Sequence, residues 1–346
     1  MDAGFAHGLL TIRLDKRCAD WPVGRFLVEQ LQLPDGFSRK LFALGAVKLG
    51  QRTLAYDDPL RAGAKLVLDA ARLVPSSRHA SVHTAAPDAG ETMDASTEES
   101  AGGFQSDTQT RTVSVLYEDG HVLVVNKPSG LIIHSDDPAE DTLDRRVAAY
   151  LRSVGNPIFA LHVHRLDRQT TGAVVYAKHP FIARSLDLQL TSRQMSRTYV
   201  AVMAGKPVRT KVIDYPIGRD RHQAGLYRVS STGKEARTLV KMLHHRVLGD
   251  KHLSLLRLQL ATGRTHQIRV HTAAIGAPIV GDTQYGGIPS IRAWPKPGQI
   301  ALHAVRVSFW HPYEERILTI GAPLDEGWRQ FLRTEWNIEE LAEERT

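Results

Sequence analysis

The chain has 346 residues, a net charge of +7 and one cysteine, Cys18. This length exceeds what one hydrophobic core usually supports, so we expect more than one folded unit. A lone cysteine excludes an internal disulfide, and the lack of paired Cys/His motifs argues against a metal site. Since no segment reads as a signal peptide or membrane span, we expect a cytoplasmic protein that does not bind membranes.

Residues 1–75 are predicted to form a small module with a basic face. Apolar residues near helical spacing follow Trp21, and a second helix is expected from Phe37 to Gly45, with short strands near 47–52 and 65–68. Ser38, Arg39 and Lys40 are expected to open the second helix, where a helix N-terminus and two cations would suit a phosphate. A generic α+β module with a basic surface fits the same pattern.

Residues 76–110 consist almost wholly of small, polar and acidic residues. Such a segment cannot bury enough apolar surface to offset its loss of conformational entropy. We therefore predict a flexible acidic linker between the N-terminal module and the rest of the chain.

The segment 111–325 carries most of the excess positive charge, which favours an anionic partner. A solvated basic surface would explain the charge equally well. The segment should open with two strands over 113–131, and Leu143, Val147, Leu151 and Val154 should form the buried stripe of a helix.

The string HVHRLDRQTTG places Asp167 between Arg165 and Arg168, close after His164. Nearby positive charge favours the ionised form of an acid, so this carboxylate is suited to act as a nucleophile or base. A surface ion pair is the plain alternative, and Arg-x-Asp-Arg by itself favours that reading.

Four further segments follow in order. A helix over 180–190 should lead into a strand over 198–203 that carries Tyr199, a position more often filled by a core residue. Two strands, over 234–241 and 252–260, should then lead into TGRTHQIRVH, where a helix starting near Thr265 would put His266 and Arg269 on one face. The segment 300–312, which contains Leu302, reads as an alternating strand, and residues 326–346 as a helical tail.

Together with YEDGHVLVVNKPSGL, the strings around Asp167, Tyr199 and Arg269 and the strand over 300–312 resemble the RluA-type pseudouridine synthases over about residues 113–323. One departure is Thr171, where that family usually has serine. The resemblance implies an α+β fold with a mostly antiparallel mixed sheet flanked by helices. Within the module, about residues 10–72 resemble the small RNA-binding domain named after ribosomal small-subunit protein four.

The resemblance also implies roles for individual residues. Asp167 would be the catalytic residue, paired with Arg269, while Tyr199 would stack on the target base and assist proton transfer. Leu302 would form an apolar wall beside the uracil. The expected RNA contacts, with Arg165 filling the position that the flipped uridine vacates, are Arg165, Arg168, His164, Arg264, His266, Arg39 and Lys40.

The expected reaction is isomerisation of uridine in structured RNA to pseudouridine, without cofactor or metal. Asp167 could attack the anomeric carbon or remove the neighbouring ribose proton, and the sequence does not choose between these routes. Large-subunit ribosomal RNA is favoured over transfer RNA by analogy, and we expect a monomer. A noncatalytic RNA-binding protein and an aspartate-dependent hydrolase remain the alternatives.

Overall fold

A computed structural model describes residues 1–73, 112–155, 159–206, 209–339 and 341. The predicted linker, 76–110, and the end of the predicted C-terminal tail lie outside the described residues. In the described part, no helix has both the length and the apolar character needed to cross a membrane.

The N-terminal residues form a five-stranded antiparallel sheet with two short helices. The elements are β1 (Asp2–Ala6), β2 (Leu9–Arg13), α1 (Val23–Arg25) with a π-helical turn over Phe26–Gln30, α2 (Asp35–Ala43), β3 (Val47–Leu49), β4 (Arg52–Thr53) and β5 (Lys65–Asp69). The strand order is β1-β2-β5-β3-β4. The sequence did not predict the β1–β2 hairpin, because its turn residues His7 and Gly8, at φ of 49° and 78°, lack the usual Asn-Gly signal.

The expectation that Ser38 opens a helix is wrong. Helix α2 begins three residues earlier at Asp35, and Ser38 is fully buried inside it. Arg39 is therefore one turn into the helix, where it binds Asp35 (Nε to Oδ2, 2.8 Å) rather than standing beside a free helix N-terminus. Asp35 in the first turn suits the positive end of the helix dipole, which the sequence pattern around Ser38 did not indicate.

A second, ten-stranded sheet organises the larger part of the chain. Its strands are β6 (Ser114–Glu118), β7 (Val122–Lys127), β8 (Leu161–His162), β9 (Thr171–Ala177), β10 (Ser196–Gly205), β11 (Lys211–Ile213), β14 (Thr238–Leu248), β15 (Lys251–Leu260), β16 (Leu302–His311) and β17 (Arg316–Gly321), while β12 (Ile217–Arg219) and β13 (Tyr227–Val229) form a separate pair. The order is β11-β14-β15-β10-β16-β9-β7-β6, with β17 on β16 and β8 on β9. Only β9 and β16 pair in parallel among the described strands. The predicted α+β fold with a mostly antiparallel sheet is confirmed.

Four helices accompany this sheet: α3 (Leu143–Ser153), α4 (Pro180–Thr191), α5 (Gln267–Ala274) and α6 (Glu326–Trp336). The Thr142 hydroxyl caps α3 by accepting from the N–H of Arg145, and a proline occupies the first turn of α4. The predicted α3 stripe is buried except for Val154, which lies just past the helix and is half exposed. The strand predicted from Lys234 begins only at Thr238.

Both faces of the large sheet are buried at β7. Leu123 and Val125 join the cluster that contains Tyr199, whereas Val122 and Val124 join the cluster that contains the N-terminal core. Because successive side chains of a strand point to opposite faces, the N-terminal module packs on the face opposite Tyr199.

The N-terminal module is docked on this sheet by specific contacts. Phe5 stacks on His179 with ring centroids 4.6 Å apart, and Phe37 lies 6.5 Å from Phe181. Glu315 accepts hydrogen bonds from Arg17 (2.7 Å) and from Gln30 (3.1 Å). The two parts therefore share a buried core, which the prediction of a separately folding module did not include.

Candidate active site

Asp167 lies in the loop that joins β8 to β9, and a second loop holds its backbone in place. The Lys127 ammonium donates to the carbonyls of Pro128 (2.9 Å), Leu131 (2.6 Å) and Arg168 (3.0 Å), and the Gly130 N–H donates to the same Arg168 carbonyl (2.9 Å). Burial lowers the pKa of Lys127 to about 7. The NKPSG string thus fixes the residue that follows Asp167, a role that the sequence did not reveal.

The arginines adjacent to Asp167 in sequence are not its partners. Arg168 turns away and binds Glu140 (Nη2 to Oε1, 2.7 Å), and Arg165 is exposed at the cleft. The nearest cation to the Asp167 carboxylate is Arg269, whose Nη1 lies 3.6 Å away, and Nε2 of His266 lies 4.0 Å away. A positive charge therefore lies beside Asp167 as expected, but it comes from a distant part of the chain.

Arg269 is buried and held in one orientation. Asp282 accepts two hydrogen bonds from it, at 2.7 Å from Nε and 2.8 Å from Nη2, and Gln284 accepts a third at 2.7 Å. The Tyr285 ring lies 4.8 Å from the guanidinium carbon. Burial opposes the charged form, yet the bonds to Asp282 raise the pKa of Arg269 above its usual value. No local pattern in the sequence indicated Asp282 as the partner of Arg269.

His266 closes the other side of Asp167. It precedes α5 in a left-handed conformation (φ 55°), and its Nδ1 lies 2.8 Å from the Tyr285 hydroxyl. Burial lowers the pKa of His266, which keeps the ring largely neutral near pH 7. Helix α5 begins at Gln267, two residues beyond the predicted start, and the Gln267 side chain accepts from the Arg264 N–H (3.0 Å). Arg264 itself donates from Nε to the Glu235 carbonyl at 2.8 Å.

Tyr199 and Leu302 form the apolar side of the same cleft. Tyr199 is 4% exposed on β10, and Leu302 is 3% exposed on the neighbouring β16. Burial raises the pKa of Tyr199, so its hydroxyl stays protonated at neutral pH and can donate a hydrogen bond.

These side chains surround one cleft of about 700 Å³, a volume within the usual range for ligand sites. Asp167 is the only carboxylate among its described lining residues. The lining arginines are Arg165, Arg193, Arg197, Arg264 and Arg269. The structure thus brings together Asp167, Tyr199, Arg269, His266 and Leu302 in a basic cleft with a single acid.

Besides Arg168, three residues expected to contact RNA have other surroundings. His164 is 5% exposed, its Nε2 accepts from the Val175 N–H at 3.3 Å, and burial lowers its pKa to about 3, so it is a neutral wall residue rather than a cation. Arg39 stacks over Tyr56 (4.6 Å) in the N-terminal module. Neither Arg39 nor the exposed Lys40 lines the cleft.

One group of described residues places three metal-ligand atoms within 4.8 Å of one another: Asp119, His311 and Glu314. The His311 Nδ1 accepts from the Glu314 N–H (3.0 Å), and its Nε2 lies 3.1 Å from the Asp119 carboxylate. The Tyr117 hydroxyl lies within hydrogen-bond distance of both carboxylates. This pattern fits a hydrogen-bonded brace, and none of these residues lines the cleft.

The family model described as RNA pseudouridylate synthase matches residues 121–274. The chain is 40% identical over 225 residues to the uncharacterized RNA pseudouridine synthase YhcT of Bacillus subtilis (strain 168), covering 64% of this chain and 72% of that protein. It is 36% identical to ribosomal large subunit pseudouridine synthase C of Escherichia coli (strain K12), and the match covers 63% of this chain and 69% of that protein. The structure of human RNA pseudouridylate synthase domain containing 1 is similar, with 26% sequence identity and a TM-score of 0.51. The match covers 62% of this chain and 84% of the human chain. Fold, motifs and relatives agree, and the chain belongs to the RNA pseudouridine synthase family.

Proposed function

We propose that this protein isomerises specific uridines of large-subunit ribosomal RNA to pseudouridine, with Asp167 as the catalytic residue. The observation that carries the proposal is the position of the Asp167 carboxylate, the only one among the described lining residues of the basic cleft. It lies 3.6 Å from the Arg269 guanidinium, which is itself held by a second carboxylate. Ribosomal RNA is chosen over transfer RNA because the similar Escherichia coli protein is named for the ribosomal large subunit.

In the proposed reaction, the bond from ribose C1′ to uracil N1 breaks, the base turns, and C1′ bonds to C5. Asp167 either attacks C1′ or removes the C2′ proton, and both routes need a carboxylate held in a fixed direction. Arg269 supplies that orientation through Nη1, because its other nitrogens are bound to Asp282 and Gln284. The rearrangement passes no electron, phosphoryl or acyl group to an acceptor, so the proposal includes no cofactor or metal.

The uridine must leave its stack before it reaches Asp167, at a cost of a few kcal/mol. Exposed Arg165, at the cleft, is suited to occupy the vacated position in the RNA. Tyr199 receives the base and Leu302 packs beside it, since both are buried on the apolar wall. Arg264 and Arg193 line the same cleft and are suited to contact the flanking phosphates.

The test is conversion of uridine in large-subunit ribosomal RNA by the purified protein, read by mass spectrometry of nucleosides. Pseudouridine has the mass of uridine, so a product of unchanged mass with altered retention supports the proposal. Free uracil would indicate a hydrolase acting through Asp167. RNA binding without any change would indicate a noncatalytic RNA-binding protein, and conversion of transfer RNA alone would correct the substrate.

A further inference from the structure

Arg197 is a buried arginine of the cleft that the proposed mechanism does not use. It lies on β10 two residues before Tyr199, so both side chains point to the same face of the sheet. Arg197 is 8% exposed and lines the cleft together with Asp167 and Tyr199.

The Arg197 guanidinium is unpaired among the described residues. Its Nε is buried without a hydrogen-bond partner, and no carboxylate of the described chain lies within ion-pair distance. By contrast, Arg269 is bound to Asp282 and Arg168 to Glu140. Burying a charge without a partner costs several kcal/mol, so an unpaired guanidinium at a cleft indicates that a ligand supplies the acceptor.

Gly263 leaves space for this guanidinium at the cleft edge. A Cβ at Gly263 would lie 3.0 Å from Nη1 of Arg197 and 3.5 Å from Nη2, closer than ordinary packing for Nη1. The guanidinium therefore occupies the space that a side chain at residue 263 would take.

His164 adds a second hydrogen-bond donor to the same wall. Because its Nε2 accepts from the Val175 N–H, the neutral ring carries its proton on Nδ1, and this buried atom has no partner in the described chain. The wall beside Tyr199 therefore holds two nitrogen donors that have no partner among the described residues, which suits a ligand with carbonyl oxygens.

The burial of Arg197 distinguishes the base from the RNA backbone as its ligand. Arg165 and Arg193 are exposed at the cleft, where backbone phosphates can reach them. Arg197 is on the buried wall with Tyr199, and in base flipping it is the base that enters the pocket.

We propose that Arg197 binds a carbonyl oxygen of the flipped uracil and stabilises the negative charge that the base acquires when it leaves C1′. The inference rests on the proposed function and deepens it. When the C1′–N1 bond breaks, its electron pair passes to the ring and is shared with O2 and O4. The bond from C1′ to C5 then forms, the C5 proton is lost, and N1 gains a proton. A preorganised guanidinium acts on this transient charge as an oxyanion hole does.

The experiment compares single-turnover rates at saturating protein for Arg197→Met, Arg197→Lys and the unchanged protein, on an RNA that the unchanged protein converts. We expect Arg197→Met to lower the rate about 100-fold, as does the loss of one oxyanion donor, with RNA affinity within a few-fold. Arg197→Lys, which keeps the charge, should recover part of the rate. Arg329→Met removes an exposed arginine of α6 that does not line the cleft, and should have no effect.

A second readout separates charge stabilisation from a structural role. Fluorine at C5 stabilises the departing base, so the loss caused by Arg197→Met should be smaller for consumption of 5-fluorouridine in the same RNA than for uridine. Gly263→Ala, which presses on Nη1 without deleting the arginine, should show a milder form of the same pattern.

Equal losses on both nucleosides would overturn the proposal. So would unchanged single-turnover rates with weaker RNA binding and a lower salt dependence, which would make Arg197 a phosphate contact. Failure of the unchanged protein to convert any RNA would instead refute the proposed function itself.

Discussion

Arg269 donates two hydrogen bonds to Asp282, at 2.7 Å and 2.8 Å, and this pairing leaves Nη1 as the nitrogen that faces Asp167 at 3.6 Å. Asp282 is 1% exposed, so the two charges form a buried pair. Such two-point pairing fixes the plane of the guanidinium, which a single contact to Asp167 would not do.

Asp282→Asn should therefore impair catalysis through Arg269. The amide keeps the shape but cannot accept two charge-assisted bonds, so we expect a fall in single-turnover rate of at least tenfold with little change in RNA affinity. Breaking a buried pair also costs about 3–5 kcal/mol of stability, measurable by urea unfolding. Asp250→Asn, at an exposed turn, is the control. A stability loss with an unchanged rate would show that Arg269 keeps its orientation without Asp282.

Arg269→Ala should act on the chemical step more than on binding. Removing the guanidinium deprives the Asp167 carboxylate of its nearest cation and leaves Asp282 buried without its partner. Single-turnover kinetics at saturating protein isolate this step from RNA binding. If only RNA affinity fell, Arg269 would be a phosphate contact and the proposed mechanism would lose its orienting group.

Asp167→Asn should abolish isomerisation while RNA affinity stays within a few-fold. An amide of the same shape cannot serve as the nucleophile or base. Conversion of uridine and filter binding of the same RNA, measured side by side, give the two quantities. Substantial residual turnover would exclude Asp167 as the catalytic residue.

The N-terminal module should remain bound after the chain is cut. A protease site introduced near residue 90 should yield two fragments that elute together, because Phe5, Phe37, Arg17 and Gln30 contact the larger part. Glu315→Ala, which removes two of these contacts, should promote separation, whereas Glu326→Ala on α6 should not. Independent elution of the unsubstituted fragments would show that only the covalent connection holds the N-terminal module to the larger part.

Acid should destabilise the protein below about pH 6.5. Burial lowers the pKa of His121 to about 4 and that of His164 to about 3, so the folded protein holds both rings neutral while the unfolded chain takes up protons near pH 6.5. Stability is therefore present above pH 6.5 and falls by about 1.4 kcal/mol per pH unit for each such ring. Urea unfolding between pH 7.5 and 5 measures the slope.

His164→Gln should make that slope shallower by about one ring's share even if it lowers stability at pH 7.5. Gln223→Ala, at an exposed position without a titratable group, should leave the slope unchanged. A slope that His164→Gln does not alter would mean that His164 is not neutral in the folded protein.

The sequence by itself determined the family motifs, most strand and helix positions, and the identity of Asp167, Tyr199 and Arg269 as candidates. The spacing of apolar residues and the residues that begin or end an element are local properties of the sequence. They predicted β7, α3 and α4 close to where the structure has them. Proximity in the sequence did not identify the charged partner of Asp167, because that contact is between distant parts of the chain. Arg168, adjacent to Asp167, binds Glu140, while the nearest cation, Arg269, lies 102 residues further along the chain.

Only the tertiary structure decided which charges meet and which remain unpaired. The orientation of Arg269 depends on its pairing with Asp282. Arg197 has no partner among the described residues because its strand is buried in the sheet. The position of the N-terminal module depends on apolar side chains from both parts of the chain. Burial and pairing are properties of packed surfaces, and the loops between the motifs carry no local pattern that records which side chains will meet. The sequence therefore indicated Asp167 as the candidate carboxylate, and the packing of distant segments decided its surroundings.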